Sequence, residues 1–356
     1  MTPFAINGLG RIGRALTRIA QTRDELELVA INDLVPAESL ARLLARDSVH
    51  GRFPGTIAHG PDWLEIDGQP VRVFGQQNPE LIDWRSTGAE IVVEATGAFT
   101  RRDAASRHLG RNGPRKVLIS AIADDADAHL CPGIAADPQA MAEGSVFSAV
   151  SCTSHCLALI SDVLERGPGV ERALMNEVHS YTADQCLLDG HHRDARRARS
   201  AAINIVPTRS AAPQTVSRLL PGLEGRLAGM AVRVPTPNVA LLELVALLAR
   251  PSSADELREL YRTAAKGRLA GLLDVTEQPL VSSDVVGEPS SALVDLELVT
   301  CSSNLCRIVA WYDNEWGYAQ RLADMLVALG RHESPEDPQE VTATHAAARL
   351  KPQMHS

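Results

Sequence analysis

Apolar positions in the first 150 residues follow two alternating rhythms. Phe4-Ala5-Ile6, Leu26-Glu27-Leu28-Val29-Ala30-Ile31, Ile91-Val92-Val93-Glu94-Ala95-Thr96, Lys116-Val117-Leu118-Ile119-Ser120-Ala121 and Val146-Phe147-Ser148-Ala149-Val150 are short, nearly continuous apolar runs. That is the pattern of parallel strands buried on both faces. Between them apolar residues recur at helical spacing: Ala15, Leu16 and Ile19, then residues 36–46, then a stretch ending near Gly110. Two short strands, 63–66 and 70–74, flank the turn Asp67-Gly68. The alternation predicts a doubly wound α/β sheet over residues 1–150. Beyond it the rhythm changes. A helix opens at Cys152 and carries Leu157, Ala158, Leu159, Ile160, Val163 and Leu164. Long strands follow at 170–181, 226–234, 239–249, 291–299 and 305–313, with helices near 213–220 and 253–266. This predicts an α+β domain with a mixed or antiparallel sheet over 151–316. Residues 182–209 read as a long charged connection, which points to a functional or interface role. A helix over about 317–330 is apolar at Leu322, Met325, Leu326 and Leu329, and 332–356 reads as a disordered tail.

Composition narrows the partners. The chain has 356 residues, enough for two cores, and a net charge of −9. Bulk attraction to nucleic acid or anionic membrane is therefore not expected, and an anionic ligand needs a local site. No apolar stretch reaches the roughly 18 residues of a membrane span, and the N-terminus lacks the basic and apolar regions of a signal peptide. Six cysteines without C-x-x-C pairing fit reduced thiols in a cytoplasm. No zinc-type spacing is present, so no metal is expected, and His191-His192 reads as a solvated loop.

Two stretches carry chemistry. Gly8-Leu9-Gly10-Arg11-Ile12-Gly13 lies between a strand and a helix, the context in which G-x-G-x-x-G holds a dinucleotide. Gly8 allows the turn, Gly10 admits a pyrophosphate to the backbone, and Gly13 lets helix and strand pack closely. Asn32-Asp33 ends the second strand, and Asp33, twenty residues past Gly13, suits an adenosine ribose diol and disfavours a 2′-phosphate. Thr96-Gly97, at the carboxyl end of another strand, suits the nicotinamide side. The second stretch is Ser151-Cys152-Thr153-Ser154-His155-Cys156. With Thr153 and Ser154 able to accept N–H bonds at the helix start, a thiol at Cys152 feels the positive end of the helix and is expected to ionise below the free-thiol value of about 8.5. Read as a nucleophile, Cys152 organises the chain; the plainer alternative is a small core residue.

These motifs converge. Asn7-Gly8-Leu9-Gly10-Arg11-Ile12-Gly13-Arg14, Asn32-Asp33-Leu34, Asp47-Ser48-Val49-His50-Gly51-Arg52-Phe53, Ser151-Cys152-Thr153, Val178-His179-Ser180-Tyr181-Thr182, Arg196-Arg197-Ala198-Arg199, Arg233-Val234-Pro235-Thr236-Pro237-Asn238-Val239 and Trp311-Tyr312-Asp313-Asn314-Glu315-Trp316-Gly317-Tyr318 resemble the phosphorylating glyceraldehyde-3-phosphate dehydrogenases over nearly the whole chain. The resemblance implies a Rossmann-type NAD-binding domain, completed by helix 317–331. It implies that Cys152 attacks the aldehyde, that His179 is its proton partner, and that Asn314 fixes the nicotinamide carboxamide. Arg11, Ile12, Asn32, Ser120 and Tyr318 would join the glycine loop, Asp33, Thr96 and Gly97 at the cofactor. Thr182, Arg197 and Arg233 would hold the substrate phosphate, while Ser151, Thr153, Ser210 and Ala211 would surround the attacking inorganic phosphate. A cytoplasmic, glycolytic homotetramer would follow, with 182–209 packing across it.

The chain departs from that pattern at His155, where the family has asparagine, and this would bring a second titrating group near the sulfur. Ala211 stands for a glycine beside the acceptor phosphate, which predicts crowding or an unfavourable φ. Gly190-His191 replaces a Leu-Pro that helps exclude a 2′-phosphate, so NADP is expected to be tolerated. Two alternatives stay open from sequence: an erythrose-4-phosphate dehydrogenase that releases the acid by hydrolysis, and a catalytically weak NAD-binding paralogue with a regulatory role.

Overall fold

The computed structural model describes residues 1–134 and 136–331; the expected disorder of 332–356 lies outside the described residues. The chain divides into two compact units. Among the described residues, one is Met1–Ser151 with 318–331, and the other is Cys152–Gly317.

The first unit is built on a parallel sheet. Its strands are β1 (Thr2–Asn7), β2 (Leu26–Asn32), β3 (Gln69–Phe74), β4 (Ile91–Glu94), β5 (Lys116–Ile119) and β6 (Val146–Ser148). They lie in the order β6-β5-β4-β1-β2-β3, all parallel. Ala128–His129 adds a parallel edge strand, and Trp63–Ile66 and Ile57–His59 add antiparallel strands at the other edge. The chain leaves β1 through helix α1 (Arg11–Ala20) toward β2 and later returns on the other side at β4. That reversal leaves a crevice beyond the carboxyl ends of β1 and β4, where open α/β sheets take ligands.

Several strands stop earlier than their apolar runs predict. β4 ends at Glu94 because its carboxylate accepts the Thr96 N–H (2.8 Å) and hydroxyl (2.5 Å), folding the chain back. β6 ends at Ser148, whose Oγ accepts the N–H groups of Val150 and Ala123. The helix expected through about Gly110 is one turn, Arg102–Ala105, running into a tighter turn, Ser106–Leu109. The tighter winding turns buried His108 inward, with Nε2 3.1 Å from Glu94 and Nδ1 accepting the Trp84 indole N–H at 3.1 Å. Between β6 and the next helix, Val150 has φ +48°, a left-handed conformation that strains a β-branched residue.

In the second unit, helix α2 (Cys152–Arg166) is buried along most of its length and covers a mixed sheet. The central strands are β7 (Val170–Ser180), β8 (Leu227–Val234), β9 (Ala240–Leu248) and β10 (Leu305–Tyr312). β7 runs parallel to β8 and antiparallel to β9, and β9 runs antiparallel to β10. The strand predicted over 291–299 is shorter, Ala292–Asp295, and passes into a tight turn at Leu296–Leu298.

Helix α3 (Trp316–Gly330) begins where Asp313 accepts the N–H groups of Glu315 (2.8 Å) and Trp316 (2.7 Å). From Tyr318 on it belongs to the first unit. Arg23 meets Asp324 (2.9 Å) and Gln320 (2.7 Å), and Lys116 donates to the Leu329 carbonyl (3.1 Å).

Candidate active site

In the first unit the glycine loop behaves as its spacing predicts. Gly8 has φ +97°, and a Cβ there would lie 2.8 Å from Thr96. A Cβ on Gly13 would lie 2.4 Å from the Gly8 carbonyl oxygen, so α1 packs against β1 at a distance only glycine allows. A Cβ on Gly10 meets nothing within 4 Å. Gly10 is the N-cap of α1 and caps it through no side chain. The space above Gly10 and the N–H groups of the first turn, with Arg11 and Ile12 in that turn, fit a pyrophosphate. Asp33 Oδ2 accepts the Leu9 N–H at 2.8 Å, which ties the acid to the loop. Asn32, expected at the cofactor, is spent internally: its Nδ2 donates to Asn7 and the Gln76 carbonyl, and its Oδ1 accepts the Gln76 N–H. Arg11 pairs with Asp47 at 2.5 Å. Burial works to raise the Asp47 pKa, but the N–H groups of His50 and Val49 and the Arg11 charge outweigh it and hold the carboxyl down at about 2. Ser120 sits beyond β5 and donates its N–H to the Glu94 carbonyl. Gly97 takes φ +73°. The Tyr318 hydroxyl is donated to the Val150 carbonyl at 3.1 Å, so the phenol acts on the backbone before β6 hands over to α2.

In the second unit period-two geometry assembles the chemistry. Ala173, Met175, Glu177 and His179 alternate along β7 and share its buried face. Register sets His179 beside Arg233 on β8 and Ala240 on β9, and Ala240 beside Tyr312 on β10. Cys152, the first residue of α2, brings its sulfur 3.8 Å from His179 Nε2. The Ser180 carbonyl lies 2.7 Å from His179 Nδ1. On that short bond we assign the Nδ1–H tautomer, which turns the Nε2 lone pair to the thiol. Arg233 Nη1 lies 2.9 Å from the same Nδ1 and 3.1 Å from the Ser180 carbonyl. The Ser180 hydroxyl donates to Asn314 Oδ1 at 3.0 Å, which fixes the amide so that its NH2 group points elsewhere.

Two expectations are corrected here. Thr153 does not cap the helix with its hydroxyl, which instead donates to the buried carboxylate of Glu177 at 2.6 Å. Nor is the thiol pKa lowered. Burial pushes Cys152 up to about 12, with Glu177 adding to it, while Arg233 and the bonds from Thr153 pull the other way. Burial likewise takes His179 down to about 4; Arg233 reinforces this and Glu177 opposes it. Both shifts run toward the uncharged forms, a thiol and a neutral imidazole, because loss of water is the largest influence on each group. The prediction is that alkylation of Cys152 by iodoacetamide rises steadily with pH from 6 to 9 without a plateau. A plateau near pH 6 would mean that the ion pair already exists in the empty enzyme.

The side chains acting most strongly on the thiol are Glu177, Arg233 and Thr153; His155 is buried in the first turn of α2. Ala211 adopts φ −88°, ψ −5°, ordinary helical backbone, so the expected strain is absent. The Ser210 Oγ accepts the Ala212 N–H at 3.3 Å. Arg197 is held by Asp184 (2.6 Å) and the Thr208 hydroxyl (3.0 Å). With Arg193, Arg209, Ser210 and Gln214 it lines an open cleft of about 470 Å³. Thr182 lies in the turn after β7 and offers its carbonyl to the Gln185 N–H. The sequence reading missed Glu177 and Glu94. Both carried a signal: an acid on the apolar face of a strand.

A dinucleotide-type sheet in one unit and, in the other, a half-buried cysteine paired with a buried histidine and flanked by arginines define a thiol-dependent aldehyde dehydrogenase class. Comparison with known proteins is more specific. Residues 2–102 match the NAD binding domain of glyceraldehyde 3-phosphate dehydrogenase, and residues 151–314 match its C-terminal domain. The chain is 44% identical over 330 residues to a glyceraldehyde-3-phosphate dehydrogenase of Kitasatospora aureofaciens, covering 92% of this chain and 99% of the relative. It is 43% identical to glyceraldehyde-3-phosphate dehydrogenase 1 of Bacillus subtilis, covering 92% and 97%. It is 44% identical to the plasmid-borne enzyme of that name in Cupriavidus necator, covering 91% and 97%. The chain belongs to the glyceraldehyde-3-phosphate dehydrogenase family.

Proposed function

We propose that this chain oxidises glyceraldehyde 3-phosphate, with NAD and inorganic phosphate, to 1,3-bisphosphoglycerate. The observation that carries the reading is the Cys152 sulfur 3.8 Å from His179 Nε2 on a buried sheet face shared with Arg233. When bound, NAD supplies the hydride acceptor. The glycine loop, Gly8, Gly10 and Gly13, would hold its pyrophosphate with the first turn of α1, Asp33 its adenosine ribose, and Thr96, Gly97, Ser120 and Asn314 its nicotinamide end. The chain's own steps are proton steps. As the sulfur adds to the aldehyde carbon, the S–H proton passes through His179 Nε2 to the carbonyl oxygen, giving a thiohemiacetal. As hydride leaves that carbon, Nε2 takes the hydroxyl proton and a thioester remains. Phosphate attacks the thioester, the C–S bond breaks, and the thiol recovers its proton.

Arg233 and Thr182, with Arg197 behind them, would fix the substrate phosphate; Ser151, Ser210 and the backbone at Ala211 would receive the attacking one. Arg233→Ala is expected to raise KM for the aldehyde roughly 10- to 150-fold, the worth of a charged hydrogen bond of about 1.5–3 kcal/mol. Steady-state kinetics check this, and an unchanged KM removes Arg233 from the phosphate site. The deciding experiment is NADH formation from a panel of phosphorylated aldehydes with and without added phosphate. Phosphate-dependent turnover of glyceraldehyde 3-phosphate is expected; its absence overturns the reading.

The assembly is read as a homotetramer in the cytoplasm. Leu187, Leu188, Ile203 and Ile205 are each 72–80% exposed on the 182–209 connection, more apolar surface than a solvated loop needs. No helix among the described residues is long and apolar enough to cross a membrane. Sedimentation at the mass of one chain would refute the assembly.

A further inference from the structure

Glu177 has no place in the reaction just described, yet it sits in its midst. The residue is 2% exposed. Its Oε1 accepts the Thr153 hydroxyl at 2.6 Å and the Tyr312 hydroxyl at 3.0 Å, and lies 3.7 Å from His179 Nε2. His179 is its only partner at ion-pair distance among the described residues. A buried carboxylate held by two hydroxyls, with no permanent cation at ion-pair distance, gives up much of its solvation without an equal return. The arrangement makes sense when a cation appears beside it during turnover, and the imidazolium of His179 is that cation.

We propose that Glu177 is a positioning residue that stabilises protonated His179 at each moment when Nε2 holds the proton, and that it keeps the Thr153 and Tyr312 hydroxyls turned away from the acyl acceptor. The inference rests on the dehydrogenase reading above. Every proton is conserved. The S–H proton goes to Nε2 and on to the substrate oxygen; the hydroxyl proton returns to Nε2 as the hydride leaves; Glu177 takes part in none of these transfers. The same charge acts against the thiolate, as its effect on Cys152 shows. The groups facing it are Cys152, Thr153 and Cys156 from α2, His179 from its own strand and Tyr312 from β10, while Arg233 on β8 acts on Cys152 and His179 instead. Glu177 thus trades a slower first ionisation for a better-supported proton acceptor at hydride loss.

The test compares Glu177→Gln, which keeps an accepting oxygen and removes the charge, with Glu177→Asp, which keeps the charge on a shorter stem. Iodoacetamide labelling of the Cys152 peptide is followed by mass spectrometry across pH, so the other thiols do not enter. In Glu177→Gln, labelling at pH 8 is expected to be about three- to tenfold faster, its alkaline limb displaced by roughly half to one unit toward lower pH. The pre-steady-state burst of NADH from glyceraldehyde 3-phosphate is expected to be about tenfold slower. Glu177→Asp recovers part of both. A Gln variant with wild-type labelling and a wild-type burst, or with slower labelling, overturns the proposal and leaves Glu177 a packing group. If the wild-type enzyme gives no burst at all, the dehydrogenase reading fails, while the labelling profile still decides whether Glu177 acts on the pair. If the Gln variant does not fold, the Asp variant decides: labelling somewhat faster and a burst somewhat slower than wild type, both short of the Gln expectation, support the proposal, and a wild-type profile in both, or slower labelling, overturns it.

Discussion

Cys152→Ser is expected to lower NADH formation about ten-thousandfold or more while leaving the fold intact. The substitution changes one atom on the first residue of α2. What changes is nucleophilicity: an alcohol gives up its proton far less readily than a thiol, and His179, held down near 4, is a weak base to take it. His179→Asn should lower turnover by about a hundred- to ten-thousandfold, the usual worth of a positioned proton carrier. Because the two residues handle the same proton, the double variant should be scarcely worse than Cys152→Ser alone. Single-turnover kinetics with a circular dichroism control check both. Losses that simply multiply would mean that sulfur and imidazole act separately, against the 3.8 Å geometry.

The second large effect falls on stability and separates two glycines of one motif. Gly13→Ala places a methyl 2.4 Å from the Gly8 carbonyl oxygen, and backbone on both sides cannot yield cheaply. α1 must lift from β1, loosening the packing of Ile6, Leu16 and Ile19, all fully buried. The expected cost is about 3 kcal/mol, or roughly 6–12 °C in Tm. Gly10→Ala meets nothing of the chain within 4 Å, so its Tm should stay within about 2 °C, the scale of a substitution worth under 0.5 kcal/mol. Its damage should appear as a KM for NAD raised by roughly tenfold or more, since the methyl occupies the pyrophosphate's space. Calorimetry and cofactor titration on the pair check this, and a Gly10→Ala variant that binds NAD normally would place the pyrophosphate elsewhere.

Much of this was legible in the chain, for identifiable reasons. The parallel strands announced themselves because strands buried on both faces cannot afford polar interruptions. The glycine loop was legible because each glycine answers a different steric demand. The strand ends were less so: β4 and β6 stop where Glu94 and Ser148 turn their side chains back onto the next N–H groups. Such local competition leaves no periodic trace. The short, tight winding at 102–109 depends on His108 reaching Glu94 and Trp84, contacts remote in sequence. At the site, Cys152 could be proposed from its helix start, but His179 drew meaning only from family resemblance. The direction of the thiol shift was misjudged because a helix end is visible in sequence and the removal of water is not. Glu177 could have been found: Ala173 and Met175 fix the buried face of β7, and an acid two positions on must enter it.

The return of α3 to the first unit also has a bearing on how the molecule is made. Arg23, through Asp324 and Gln320, and Lys116, through the Leu329 carbonyl, bind residues 318–330 to chain synthesised hundreds of residues earlier. On the ribosome the nucleotide-binding half therefore waits, open along one side, until translation is nearly finished. The second unit, one uninterrupted stretch, can close first, so the order of maturation is expected to run against the order of the gene.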